Sequence, residues 1–174
     1  PPVAASVHAE LQHLIVDEYQ DVNPAQERLI ELLAGPDVEL CVVGDDDQAI
    51  YGWRGSDVSN IVEFAHRYPR VASFAITTNR RSTPGIISVA NAFVPSIPDR
   101  LPKEMGASRS AAPGGPAVVA WAAEYEMDEA GHIANAILDL NEAGVPFRDI
   151  AVLVRSRAAY PKLLEQFATF DIPV

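Results

Sequence analysis

Residues 14–21 decide the fold, and they read Leu-Ile-Val-Asp-Glu-Tyr-Gln-Asp. The three apolar residues predict the end of a buried strand, and two acids, Asp17 and Glu18, follow directly at its carboxyl end. One carboxylate in that place can hold Mg²⁺, a cation that prefers a few oxygen ligands together with water and phosphate. The other can orient or deprotonate an attacking water. The stretch therefore indicates metal-assisted hydrolysis of a nucleotide.

A second polar block follows the next apolar run of the chain. Residues 44–55 read Gly-Asp-Asp-Asp-Gln-Ala-Ile-Tyr-Gly-Trp-Arg-Gly, directly after Leu-Cys-Val-Val at 40–43. Gln48 adds an amide near the acidic pair. Trp53 and Arg54 form an aromatic–arginine pair of the kind that stacks on nucleobases. The second block therefore adds a candidate nucleic-acid contact to the candidate hydrolytic site.

Strands and helices alternate along the chain, a pattern that predicts an α/β fold with a largely parallel sheet. A strand at about 11–16 precedes a helix at 24–33, for which Asn23 is a suitable N-cap. The strand at 39–43 is apolar on both faces, as buried parallel strands are. Trp121 is expected in the core. The other predicted elements are a helix from Ser56 or Asp57 to about 66, strands at 71–77, 117–122 and 150–154, and helices at 82–93, at 128–142 and after Ser156.

The chain is expected to contain parts of two domains. We place the boundary so that residues 1–80 form the C-terminal part of a first domain and residues 81–174 the beginning of a second. An irregular loop at 95–116, rich in Pro, Gly and Ser, interrupts the second part. The phosphate-binding sequence Gly-x-x-x-x-Gly-Lys-Ser/Thr is absent. Acidic residues without that loop make an incomplete nucleotide site, so we expect this chain to be a fragment.

The amino-acid composition of the chain limits the kinds of partner that it can bind. The net charge of −11 argues against a general nucleic-acid-binding surface, so any DNA contact must be local. No apolar stretch approaches the ~20 residues that a membrane helix needs, and no membrane association is expected. The single cysteine, Cys41, cannot form an internal disulfide, which fits a reducing, cytoplasmic setting. The four histidines show no metal-ligand spacing.

With both blocks in view, the chain resembles the UvrD/Rep/PcrA-type DNA helicases of superfamily 1. Residues 14–23, with Gln26 following, are similar to helicase motif II, and residues 43–55 are similar to motif III. Residues 79–83 resemble motif IV, and 149–155 fit a strand that the family carries downstream. The resemblance implies parts of two RecA-like domains of the P-loop NTPase type, with parallel sheets flanked by helices.

The resemblance also implies roles for residues near a bound nucleotide. Asp17 resembles the carboxylate associated with Mg²⁺, and Glu18 the residue that activates the hydrolytic water. Gln48 resembles the amide that senses the γ-phosphate of ATP. Arg81 is similar to the motif IV arginine that reaches the γ-phosphate across the cleft between the domains. The family's tyrosine before that arginine is Arg80 here, and its guanidinium can stack on a purine face in place of the aromatic ring.

For DNA, the resemblance implies that Trp53 stacks on a single-stranded base, with Tyr51 and Arg54 lining the same path. The full-length protein that the resemblance implies is an ATP-dependent helicase or translocase that moves 3′ to 5′ on single-stranded DNA and acts at duplex junctions. Its partners would be the remainder of the helicase chain and DNA repair proteins. The segment alone is expected to hydrolyse ATP poorly or not at all. Two alternatives stay open: a helicase subunit of a helicase–nuclease repair complex, and a non-catalytic interaction module that kept the fold.

Overall fold

The computed structural model describes residues 2–68, 70–111 and 118–174. By its internal contacts the chain divides into two compact units, Pro1–Val118 and Val119–Val174, and each is described by itself. This division falls later in the chain than the boundary at 80/81. The boundary at 80/81 stays a prediction.

The first unit begins with a helix, a strand, a helix and a strand. These are α1 (Pro2–Glu10), β1 (His13–Val16), α2 (Pro24–Leu33) and β2 (Glu39–Val42). The two strands pair in parallel, with Val16 opposite Val42, so their carboxyl ends meet at one edge. The α/β class with parallel pairing is confirmed. The sequence analysis did not predict α1.

α2 forms where the sequence predicts because its first turn is fully capped. The Asn23 side chain accepts hydrogen bonds from the backbone N–H groups of Ala25 and Gln26, each at 3.0 Å. Gln26 returns a bond by accepting from the Asn23 N–H at 3.0 Å. Pro24 occupies the first helical turn, where its missing N–H costs nothing.

The core of the first unit lies on one face of the strand pair. Tyr19, Val22, Ile30 and Phe64 are buried there, and the rings of Tyr19 and Phe64 meet edge to face at 5.4 Å. The prediction that residues 39–43 are buried on both faces is wrong. Their side chains alternate between half-buried and exposed, and Cys41 is exposed, because the packed cluster covers only the opposite face.

The helix predicted from Ser56 or Asp57 to 66 is broken in two. α3 (Ser59–Val62) and α4 (Phe64–Arg67) are separated by Glu63. The Asp57 side chain accepts the Ser59 N–H at 3.0 Å, as expected of a helix start. Further along, Thr78–Asn79 (β3) pairs in parallel with Gly106–Ala107 (β4), and α5 (Pro84–Phe93) lies between them in the chain. β4 therefore places a short strand inside the predicted loop at 95–116.

The predicted strands at 71–77, 117–122 and 150–154 are wrong. Within the described part of the chain none of these residues belongs to a strand, although the Thr77 carbonyl accepts the Gly106 N–H at 2.8 Å, and residue 117 lies outside it. Phe74 and Ile76 are each 91% exposed, and Trp121 is 51% exposed rather than in the core. Apolar, β-branched residues favour the extended backbone, but a strand forms only where a partner strand takes up its N–H and C=O groups.

The second unit is a helix pair. α6 (Glu126–Glu142) packs on α7 (Tyr160–Thr169) around a small apolar core that includes Ala134, Ile137 and Phe167. Gly144 ends α6 in the left-handed conformation, with φ +95°, that a helix C-terminus favours. The Ser156 side chain accepts the Ala158 N–H at 3.4 Å and so caps the turn before α7. None of the helices in the described residues has the length and apolarity that a membrane span requires.

Candidate active site and nucleic-acid interface

The candidate site lies where the two paired strands end. Asp17 and Glu18 follow β1, and residues 44–48, here called the acidic loop, follow β2 with one residue between. Backbone hydrogen bonds join the two chain segments at this edge. The Val43 N–H donates to the Val16 carbonyl at 2.8 Å, and the Tyr19 N–H donates to the Val43 carbonyl at 3.0 Å.

Glu18 has a left-handed backbone, with φ 50° and ψ 44°. The Asp17 carboxylate accepts the Glu18 N–H at 2.9 Å and so helps to hold the turn. A non-glycine residue in this conformation is uncommon, and such strain concentrates at functional sites. Both acidic side chains are exposed at the end of the strand.

A buried amide joins the acidic pair to the acidic loop. Gln20 is 1% exposed, and its Nε2 donates to Oε2 of Glu18 at 2.7 Å. Its Oε1 accepts the backbone N–H of Asp45 at 3.0 Å. The sequence analysis assigned no role to Gln20. Its role could not be predicted from its neighbours in the sequence, because its partner Asp45 lies 25 positions further along the chain.

Gly44 makes this close approach possible. A Cβ atom at that position would lie 2.6 Å from Oε1 of Gln20, 2.8 Å from Cδ1 of Ile61 and 3.1 Å from the Tyr19 nitrogen. A side chain at residue 44 would displace Gln20 and Ile61, and Gln20 is held by its hydrogen bonds to Glu18 and Asp45. The lack of a side chain at residue 44 therefore favours the close contact between the turn after β1 and the acidic loop.

Within the acidic loop, Asp45 orients Gln48. Oδ2 of Asp45 accepts from Nε2 of Gln48 at 2.7 Å, and Oδ1 accepts the Asp47 N–H at 3.2 Å. Residues Asp46–Gln48 form a single 3-10 turn. Glu18 and Gln48, both predicted site residues, are thus connected through Gln20 and Asp45 by three consecutive hydrogen bonds.

Two basic residues hold the three aspartates of the acidic loop. Arg100 donates to Asp47 through Nε and Nη2, each at 2.8 Å. Lys103 contacts all three carboxylates: Asp45 at 3.0 Å, Asp47 at 3.2 Å, and Asp46. The Leu101 N–H donates to Asp46 Oδ2 at 2.7 Å. The sequence analysis did not identify Arg100 or Lys103, because nothing local in a Pro-rich segment indicates a partner more than fifty positions away.

These contacts shift the pKa values of Asp45, Asp47 and Lys103 so that each group favours its charged form. Partial burial acts to raise the pKa of the Asp45 carboxyl, but hydrogen bonds from Gln48 and Lys103 outweigh it and leave the pKa below its ordinary value. The Arg100 hydrogen bonds lower the pKa of Asp47. Burial acts to lower the pKa of Lys103, yet the three carboxylates raise it overall. Asp45, Asp47 and Lys103 are therefore charged at neutral pH.

The aromatic residues of the second block form an exposed cluster. Trp53 is 75% exposed and Tyr51 36% exposed, with ring centroids 6.5 Å apart. The Arg54 guanidinium lies 4.6 Å from the Trp53 centroid and 5.2 Å from the Tyr51 centroid. The structure brings these three predicted residues together and presents them to solvent.

Arg80 and Arg81 are exposed at the start of the segment before α5. The Asn79 side chain accepts the N–H groups of Arg81 at 3.0 Å and Ser82 at 2.8 Å, which fixes this turn. Among the residues that the structure describes, neither guanidinium contacts Asp17, Glu18 or Gln48. The two arginines are therefore available to a ligand but are not part of the hydrogen-bonded chain.

A buried polar network supports the turn after β1 from beneath. The Tyr19 hydroxyl donates to Glu27 at 2.6 Å, and Arg67 donates to the other Glu27 oxygen at 2.7 Å. Arg67 also donates to Asn60, which in turn donates to the Val22 carbonyl at 3.1 Å. Burial, with the hydrogen bond to Glu27, raises the pKa of Tyr19 far above its usual range.

In residues 2–68, 70–111 and 118–174, no group of three or more His, Cys, Asp or Glu side chains is arranged to hold a metal ion, and Lys103 occupies the space between the three carboxylates of the acidic loop. A carboxylate that shares an ion with phosphate and water needs no such cluster.

These features agree with the class of protein that sequence comparison defines. The chain belongs to the UvrD-like helicase family: the UvrD/REP helicase N-terminal domain matches residues 1–69, and the UvrD-like helicase C-terminal domain matches residues 74–174. The resemblance drawn from the motifs is confirmed, and with it the expectation of RecA-like α/β architecture.

Particular relatives are bacterial. The ATP-dependent DNA helicase PcrA of Staphylococcus epidermidis (strain ATCC 35984) is 38% identical over 164 residues, which cover 94% of this chain and 22% of that protein. PcrA of Staphylococcus aureus (strain Mu50) is 36% identical over 173 residues, covering 99% of this chain and 23% of the relative. The chain thus spans less than a quarter of the length of these relatives.

Proposed function

We propose that this chain is part of an ATP-dependent DNA helicase that couples ATP hydrolysis to 3′-to-5′ movement on single-stranded DNA. Family membership supports the proposal, as do relatives named as ATP-dependent DNA helicases. The observation that carries it is the series of three hydrogen bonds that connects Glu18 through Gln20 and Asp45 to Gln48. These bonds link Glu18, the candidate general base, to Gln48, the candidate phosphate sensor. Gln48 lies five residues before Trp53.

Asp17 is the residue that would hold Mg²⁺. Its side chain is exposed at the end of β1, and only Oδ1 is engaged within the described residues, by the Glu18 N–H. The second oxygen is a hard anionic ligand of the kind that Mg²⁺ selects. The bound ion would neutralise charge on the β- and γ-phosphates of ATP.

Glu18 would act on the hydrolytic water. The hydrogen bond from Gln20 fixes Oε2, and in the described part of the chain Oε1 has no donor. The free oxygen can accept a proton from a water held beside the γ-phosphate. The strained backbone of Glu18 and the buried Gln20 amide keep the carboxylate oriented before substrate arrives.

Gln48, Arg80 and Arg81 would contact the nucleotide. Gln48 keeps one amide proton to donate to the γ-phosphate, since Asp45 takes a single hydrogen bond from it. Arg81 would stabilise charge on the transferring phosphoryl oxygens, and Arg80 would stack on the base.

Trp53, Tyr51 and Arg54 would form the platform for single-stranded DNA. An exposed tryptophan gives a flat apolar face on which any base can stack, so binding need not depend on sequence. Because the net charge is −11, stacking must supply much of the local contact. Further partners of the whole protein would be duplex junctions and DNA repair proteins, in the cytoplasm.

The test is Glu18→Gln in the full-length protein that contains these residues. Turnover should fall about 10²- to 10⁴-fold, the usual contribution of a general base, while ATP binding changes little because size and hydrogen-bonding reach are kept. Glu31→Gln, which changes a glutamate on the exposed side of α2, serves as the control. Steady-state ATPase activity that survives Glu18→Gln rules out the assignment. A wild-type protein that neither binds nor hydrolyses ATP indicates the non-catalytic module instead.

A further inference from the structure

The acidic loop is anchored by a segment distant in sequence. Residues 100–103, here called the basic segment, contribute Arg100, Lys103 and the Leu101 N–H to the three aspartates. The basic segment falls within the region matched by the C-terminal family domain, and the acidic loop within the region matched by the N-terminal one. Both belong to the same compact unit, so the contact is internal to that unit.

The cluster differs from an ordinary surface ion pair. The side chains of Asp46, Asp47 and Arg100 are only 3%, 11% and 16% exposed, and that of Lys103 is 24% exposed. The Arg100–Asp47 contact is a two-bond fork, which fixes the orientation of both groups. Three carboxylates this close repel one another unless cations lie between them. The conformation of the acidic loop therefore depends on the basic segment.

Asp45 connects the basic segment to Gln48, the candidate phosphate sensor. Its Oδ1 faces Lys103 at 3.0 Å, while its Oδ2 accepts from the Gln48 amide at 2.7 Å. Rotation of the Asp45 carboxylate away from Lys103 would break the bond to Gln48. A shift of the acidic loop would also move the Asp45 N–H, which Gln20 uses to hold Glu18.

We propose that Arg100 and Lys103 are positioning residues for ATP hydrolysis. They hold the acidic loop so that Gln48 and, through Gln20, Glu18 stay oriented toward the nucleotide. They thereby make turnover depend on the placement of the segment that follows α5. This inference rests on the proposed function and adds to it two residues that would act through the acidic loop rather than directly on ATP or DNA.

The experiment uses the full-length protein with Lys103→Met, Arg100→Gln and the conservative Lys103→Arg. Arg28→Met is the matched control, since Arg28 also pairs with a carboxylate in the first unit but does so on the exposed face of α2. Two quantities are measured: the kcat and KM of ATP hydrolysis with single-stranded DNA, and deuterium exchange at the amides of residues 45–48.

Loss of either cation should lower kcat about tenfold while KM for ATP changes less than about twofold, because orientation in the transition state is lost rather than binding. Exchange at residues 45–48 should rise, since the Asp45, Asp47 and Gln48 N–H groups are all hydrogen-bonded in the acidic loop. Lys103→Arg should restore both values, and Arg28→Met should change neither.

Faster exchange with unchanged kcat would show a purely structural role and overturn the proposal, as would unchanged exchange. If Lys103→Met fails to fold, the pair Arg100→Gln and Lys103→Arg decides by the same two measurements. Failure of the proposed function looks different. In that case the wild-type protein lacks ATPase activity, and the positioning role is overturned together with it, whatever the exchange data show.

Discussion

At the scale of single residues, Glu18 illustrates how the site is prepared before a ligand binds. Its left-handed backbone costs about 1–2 kcal/mol for a residue with a side chain. Two hydrogen bonds offset part of this cost: the Glu18 N–H donates to Asp17, and Gln20 donates to the Glu18 carboxylate. Glu18 is exposed at the end of the strand, where a water can reach it.

Trp53 offers a residue-scale test of the nucleic-acid interface. Because its ring is 75% exposed, Trp53→Ala should change the free energy of unfolding by no more than about 0.5 kcal/mol. Loss of the stacking face should weaken binding of single-stranded DNA by about 1–3 kcal/mol. Fluorescence anisotropy with a labelled oligonucleotide measures the affinity, and thermal unfolding measures the stability.

The other tryptophan provides the matched control for that experiment. Trp121 is 51% exposed, belongs to the second unit and contacts His132. Trp121→Ala should leave DNA affinity unchanged. Equal losses from both substitutions would mean that Trp53 has no special role in DNA binding.

At the scale of elements, α2 secures the turn that bears the acidic pair. Its inner face carries Glu27, which is 6% exposed and accepts from both Tyr19 and Arg67. One turn further along, Glu31 is exposed and pairs with Arg28 in solvent. The same residue type one turn apart on one helix therefore has two different energetic roles.

Glu27→Ala should lower the free energy of unfolding by about 3 kcal/mol, because it leaves the Tyr19 hydroxyl buried without a partner and breaks a largely buried ion pair. Glu31→Ala should cost no more than about 0.5 kcal/mol, as exposed helical pairs do. Urea denaturation of both variants measures the difference. Similar losses for the two would show that the network beneath Tyr19 contributes nothing beyond helix propensity.

Elements whose signals are local could be predicted from the sequence. α2 begins at Pro24 because Asn23, Pro24 and Gln26 carry the capping information within four positions. The strand at 71–77 could not be predicted reliably, because strand formation depends on a partner and not on the apolar run itself. Phe74 in that run is 91% exposed.

The same distinction applies to the candidate site. Asp17, Glu18, Gln48 and Trp53 stand out in the sequence because each belongs to a compact motif. Gln20 and the basic segment do not, because the role of Gln20 arises from a contact 25 positions away and that of the basic segment from contacts 53 to 58 positions away. Such contacts are fixed by the fold, here by the parallel pairing of β1 with β2 and by the close approach at Gly44.

At the scale of the whole molecule, the net charge of −11 means that the three aspartates of the acidic loop bear on stability as well as on the candidate site. Excess negative charge disfavours the compact state through self-repulsion. In the acidic loop the repulsion is replaced by attraction, because Arg100 and Lys103 lie among carboxylates that would otherwise repel one another. The contribution of this attraction should therefore follow the ionisation of Asp45 and Asp47, in a direction that their pKa values fix.

The pKa values of Asp45 and Asp47 lie below the ordinary 3.8 in the folded protein, so the unfolded chain binds these protons more tightly. The stabilisation is then fully present above about pH 4 and is lost as pH falls through the folded-state values. Lys103, whose pKa is raised from 10.5, keeps its contribution throughout that range and loses it only at higher pH.

Urea unfolding of wild type and Asp47→Asn at several pH values tests this. The difference in unfolding free energy between the two should be constant from about pH 5 to 9 and shrink below about pH 4, because the unfolded wild-type chain then takes up a proton at Asp47 before the folded protein does. Asp37→Asn, at an exposed position before β2, should show no comparable trend. A difference between wild type and Asp47→Asn that persists unchanged at pH 3 would mean that the fork to Arg100 is not what stabilises the acidic loop.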